Sequence, residues 1–118
     1  MSATALKLRS PNFKSFKVTA PTATYTAGQM IKIHDTVGVI VETAAVGVDT
    51  ALIYSCEKIV VPKDTGVTFD AGDKVYYKAG TAAVTSTASG NTLCGRALTA
   101  GLTGDTELEI DLHGDVPA

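Results

Sequence analysis

A chain of 118 residues, 45% of them apolar, is the right size for one domain and can bury a core without metal or disulfide staples. Ten Lys and Arg against twelve Asp and Glu leave a net charge of -2, which excludes a polyanion binder that works through many phosphate contacts. Two cysteines are too few for the disulfide framework of a small secreted domain, so Cys56 and Cys94 are expected as buried thiols.

Residues 1–18 read as an extended N-terminal arm and residues 19–118 as a single β-domain. In the arm, Leu6 and Leu8 alternate with Lys7 and Arg9, Pro11 interrupts, and Phe13, Lys14, Phe16 and Lys17 follow. The first seventeen residues hold four cations and no acid, whereas the last eighteen hold Asp105, Glu107, Glu109, Asp111 and Asp115 and no Lys or Arg.

The body reads as strands set between turn residues. Strands are expected over Met30–His34 and Thr36–Thr43, with Val37, Val39 and Val41 on one face. Ala44–Asp49 is a small-residue turn. Thr50–Val61, closed by Pro62, is apolar on both faces and reads as the central strand. Short strands follow at Val67–Asp70, Lys74–Lys78, Ala83–Thr87 and Thr92–Thr99, separated by Ala71-Gly72-Asp73, Gly80 and Ser89-Gly90-Asn91. Glu107–His113 alternates Leu108, Ile110 and Leu112 with charged residues, the pattern of a strand with one face in a core. No stretch supports a helix of ten residues, although a helical turn fits Ala44–Val48 or Arg96–Gly101. No internal repeat stands out. The fold class is all-β, a compact barrel or sandwich with an extended arm.

The search for chemistry is negative at each candidate. His34 and Asp35 are adjacent on a strand and point to opposite faces. Cys56 and Cys94 lie in apolar strands where a thiol is inert. The cysteines and histidines lack zinc spacing. Asp64, Asp70 and Asp73 surround a turn, without the ligand ladder of a calcium loop. No phosphate-binding glycine loop occurs. No charged-then-apolar leader opens the sequence, and no apolar run approaches the roughly 18 residues of a membrane span. A soluble protein made in a cytoplasm is expected, with no cofactor, no metal, no catalysis, and no nucleic-acid or membrane partner.

One ordered series carries a resemblance. It runs through Ala27-Gly28-Gln29, Val37-Gly38-Val39-Ile40-Val41, Val61-Pro62-Lys63, Ala71-Gly72-Asp73-Lys74-Val75-Tyr76-Tyr77, Thr85 to Gly90-Asn91, Gly95-Arg96-Ala97-Leu98 and Glu107–Leu112. This series resembles a family of tailed-phage and prophage proteins that includes capsid cement, or decoration, proteins. The resemblance covers about residues 19–113 and leaves out the arm. It implies a structural virion protein bound to the outside of a head and contacting the major capsid protein. It also suggests self-association, as a trimer before a dimer. On this reading the arm leaves the body and pairs with capsid protein or a neighbouring copy. The expected interface is Leu6, Lys7, Leu8, Arg9, Phe13, Lys14, Phe16 and Lys17, with Glu107, Glu109 and Asp111 as acidic counterparts. The alternative is a small β-barrel binding a glycan or peptide through exposed members of Tyr25, Tyr54, Tyr76 and Tyr77.

Overall fold

The computed structural model describes residues 7–8, 12–33 and 36–113, and the side chains of all but Lys7 and Leu8. Nine strands occur among them: β1 (Lys7–Leu8), β2 (Phe13–Thr19), β3 (Met30–Ile33), β4 (Thr36–Ile40), β5 (Asp49–Pro62), β6 (Lys74–Lys78), β7 (Ala83–Thr85), β8 (Thr92–Ala97) and β9 (Glu107–His113). No helix occurs among the described residues, and the two segments expected to hold a helical turn are turn and strand instead. The sheet runs β3-β4-β5-β9-β8-β6-β7 and wraps into a nearly closed barrel.

β5 is the spine. Leu52 and Ile53 pair with both β2 and β4, while Ile59 and Val60 pair with both β1 and β9. Ser55 and Cys56 pair with both β2 and β9. One edge of β5 therefore carries β2 and then β1, and the other carries β4 and then β9. Two register shifts let β5 bend between these partners, one opposite Lys14/Ser15 and one between Cys56 and Ile59. The expectation that this strand is central, with apolar residues on both faces, holds. Ile53, Ile59 and Val61 enter the main core, and Leu52 joins a second cluster with Val18 and Ile40.

Alternation places the core as expected. Leu108, Ile110 and Leu112 of β9 are buried against Val75, Val84, Cys94 and Phe69. Both cysteines are free and buried, Cys94 with its thiol directed at the Val75 carbonyl at 3.5 Å. Tyr77 is buried, and its hydroxyl donates to the Met30 carbonyl at 3.4 Å, joining β6 to β3.

The structure contains a repeat that the sequence conceals. The β2–β5 pairs Ser15↔Ile53, Phe16↔Leu52, Lys17↔Ala51 and Val18↔Thr50 recur between β5 and β9 as Ile59↔Ile110, Val60↔Glu109, Val61↔Leu108 and Pro62↔Glu107. Met30↔Val39 and Ile31↔Gly38 recur as Lys74↔Arg96 and Val75↔Gly95. The bridge Tyr25↔Ala44 recurs as Phe69↔Gly101. The connecting turns match as well: Gln29 N–H donates to Thr26 O with Gly28 at φ 82, and Asp73 N–H donates to Asp70 O with Gly72 at φ 96. Both turns need a left-handed third residue, which glycine supplies without strain. Even the side-chain cap repeats, since Thr26 N–H donates to Gln29 Oε1 and Asp70 N–H to Asp73 Oδ2. β5 thus closes the first unit with its leading part and opens the second with its trailing part. β7 lies in the longer β6–β8 connection of the second unit.

Candidate binding surface

The described residues expected at an interface fall on three strands, β1, β2 and β9. Leu6 and Arg9 lie outside the described residues. Lys7 and Leu8 pair with Val60 and Ile59, and Phe13, Lys14, Phe16 and Lys17 lie in β2. In this structure the segment does not stand away from the body. It runs antiparallel along β5 of its own chain, so the boundary drawn after residue 18 falls inside β2. The mixed basic and apolar composition that suggests a free arm is the composition of an edge strand.

β2 is held by its backbone ladder and a few polar contacts. Thr19 Oγ1 donates to Asp49 Oδ1 at 2.6 Å, and Lys17 Nζ lies 3.6 Å from Asp49 Oδ2. The Thr19 hydroxyl first, and then the Lys17 charge, hold the Asp49 carboxyl below its ordinary range. Asn12 Nδ2 donates to Glu57 Oε1 at 2.6 Å, and the Phe16 ring packs on Tyr54 with centroids 5.6 Å apart. Of the seven residues of β2 only Val18 is buried. Phe13 and Phe16 remain 46% and 38% exposed, on a strand whose other cations and polar residues face water. A cleft of about 330 Å³ beside them is lined by Asn12, Phe13, Lys14, Ser55 and Glu57.

Glu107, Glu109 and Asp111 lie on β9, far from an edge. β5 runs along one side of it, and β8 with Leu98 takes the other from Glu109 to Leu112, so this stretch is closed to an incoming strand. Its three carboxylate residues are half-buried, and Asp111 Oδ1 sits 2.9 Å from His113 Nε2. The structure does not bring these acids to the basic strand of the same chain; β5 lies between them.

Several of the remaining chemical candidates make structural contacts among the described residues. His34 and Asp35 lie outside the described residues. The Asp73 carboxylate is taken up by its own turn, and Asp64 faces Lys78 at 3.8 Å. Burial pushes the Cys94 thiol up to about 12, which favours its protonated form, and burial also raises Cys56. Tyr25, Tyr54 and Tyr76 are half-buried and Tyr77 is buried, so the tyrosines make no exposed platform for a sugar or peptide.

Sequence reading missed Lys63. It is 4% exposed, and its ammonium donates to the carbonyls of Asp64, Leu102 and Asp105 at 2.8, 2.9 and 3.3 Å. It also missed Val46, Val48 and Leu102, which stand exposed at the two repeated turns before β5 and β9. Their glycine-bounded turns were the available signal.

A family model described as phage cement protein matches residues 11–112. The chain belongs to that family. The match begins within the segment that the resemblance left out, so β2 is part of the shared pattern rather than an appended arm. It assigns this phage cement protein a structural role in the capsid of a bacteriophage virion. A comparison with curated proteins returns no match.

Proposed function

We propose that this cement protein binds the outer surface of the phage head and stabilises contacts between neighbouring major-capsid subunits, without catalysing a reaction. The observation that carries the reading is β2, an edge strand in a chain of the cement family that leaves Phe13 and Phe16 exposed beside Lys14 and Lys17. Exposed aromatic and basic side chains on an unpaired edge supply main-chain bonds, apolar area and charge together. Many identical copies on one shell then sum modest affinities. Synthesis in the host cytoplasm and assembly onto completed shells accord with buried reduced cysteines.

The test uses heads assembled without the protein, purified chain added back, and sedimentation. The wild type should co-sediment with heads and delay their disruption on heating. Burial of a phenylalanine is worth about 1.5–3 kcal/mol, so Phe13→Ser with Phe16→Ser should weaken occupancy on the order of 100-fold. A chain that never co-sediments refutes outer-surface binding. Bound chain that leaves the heat resistance of heads unchanged refutes the stabilising role. Unaltered occupancy of the double variant refutes the placement on β2.

A further inference from the structure

Comparison of the two repeated units singles out β2. Its counterpart is the trailing part of β5, where Ile59 and Val61 are fully buried in the main core. The matching β2 positions are Ser15 and Lys17, both exposed, with the Lys17 side chain 76% accessible. The backbone ladder is the same in both units, but the second strand carries two fully buried anchors, Ile59 and Val61, whereas β2 carries Val18 alone. Strand attachment through side-chain burial is therefore strong in the second unit and weak at β2.

The link that follows β2 is also loose. Residues 21–24 are all exposed, contain Pro21, and connect the β2 ladder to the Tyr25 bridge. The last backbone bonds before this link join Ala20 to Gly47 and Val48. The edge of β5 that receives β2 fits that strand residue by residue, from Thr19↔Asp49 to Phe13↔Cys56. A second copy of the chain carries the same strand and would make the same bonds there.

We infer that β2 is an exchange strand: two copies of this protein trade β2 across their β5 edges and form a strand-swapped pair. The swap conserves the ladder, the Thr19–Asp49 hydrogen bond and the Phe16–Tyr54 contact, so it sacrifices none of the attachment seen within one chain. A link of four residues spans at most about 14 Å, which brings the two bodies together beside β2. Phe13 and Phe16 stand exposed at that place, so the close approach covers apolar surface that the single copy leaves in water. The inference concerns copies of the chain in solution; the pair and the head would compete for the Phe13 and Phe16 surface, and exchange is therefore measured without heads.

The test needs no heads. Lys17 and Ala51 are cross-strand partners. One preparation carries Lys17→Cys and another carries Ala51→Cys. Mixed at high concentration and mildly oxidised, they should accumulate a product of twice the chain mass. The doubly substituted chain, diluted, should close the same bond within one molecule and show that the geometry permits it. A mixture of Lys17→Cys with Lys78→Cys, an exposed site off the ladder, reports random collision. Exchange is overturned if the first mixture yields no doubled product while the diluted double variant closes, or if the collision control yields as much. Removing Thr22 and Ala23 gives a second reading: the shortened link prevents β2 from reaching its own β5, and the native mass should double. A folded monomer from that deletion overturns the inference as well.

Discussion

Replacing Lys63 with methionine isolates one buried cation. The substitution keeps an unbranched apolar stem of similar length, so the packing of Cε near Gly101 is largely preserved. What disappears is an ammionium-to-carbonyl cluster closed over residues far apart in the chain. Leu102 O keeps a backbone donor, since the Asp105 N–H reaches it at 3.0 Å. Asp64 O and Asp105 O lose the ammonium. An unsatisfied buried polar group is worth about 1–3 kcal/mol. Asp105 is exposed and its carbonyl turns to water, so the part-buried Asp64 carbonyl sets a cost of about 1–3 kcal/mol. Against a total stability of about 5–15 kcal/mol this is a large fraction. Equilibrium unfolding in urea should show a lowered midpoint at unchanged slope, and thermal unfolding a fall of about 5 °C or more. A midpoint within about 0.5 kcal/mol of wild type would refute the assignment of Lys63 as the tie between the β5 terminus and the turn before β9.

Three further outcomes follow from the geometry. Gly95→Ala should destabilise strongly, by about 3 kcal/mol or more, because the new Cβ collides with the Asp111 backbone oxygen, whereas Gly80→Ala, facing open space, should shift the unfolding midpoint little. The Asp49 carboxyl is depressed below its ordinary value of 3.8, so its contribution to holding β2 is present above that value and lost as pH falls through the lower, folded one. Protection of the Val18 and Thr19 amides, measured relative to their intrinsic exchange at each pH, should therefore fall on acidification in the wild type, with the response blunted in Asp49→Asn. Cys94, raised to about 12 by burial, should resist thiol reagents at pH 8 until the chain is unfolded; rapid labelling of native protein would contradict its place in the core.

The limits of sequence reading follow from which interactions are local. Lys74–Lys78 and Glu107–His113 match β6 and β9 end to end, because the two-residue period of a strand is written in consecutive side chains. Thr92–Thr99 and Ala83–Thr87 overrun β8 and β7, whose ends are set by partners elsewhere in the sheet. The repeat escaped notice for a related reason. Its units share turn glycines and pairing registers, but Ser15 matches Ile59, Lys17 matches Val61, and β7 lengthens one unit. Registers are relations between distant residues and leave little trace in composition.

The candidate surface divides in the same way. Phe13, Lys14, Phe16 and Lys17 could be picked out from their own chemistry, as a basic and apolar stretch unlike the rest. Whether that stretch hangs free or lies on β5 depends on an edge contributed by residues 49–60, which only the folded chain assembles. Glu107, Glu109 and Asp111 look like an open acidic strand from alternation alone, yet β5 and β8 flank β9.

The sequence by itself determined that this chain is all-β, which faces of its strands are apolar, and, through its ordered turn motifs, the family it resembles. Those properties reside in neighbouring residues and their backbone preferences. The tertiary structure alone decided that β5 joins two repeated units, that Lys63 is buried among three carbonyls, and that β2 is a strand with little side-chain anchoring. Each of these depends on which distant segments share an edge, and long-range pairing is settled by the packing of the whole chain.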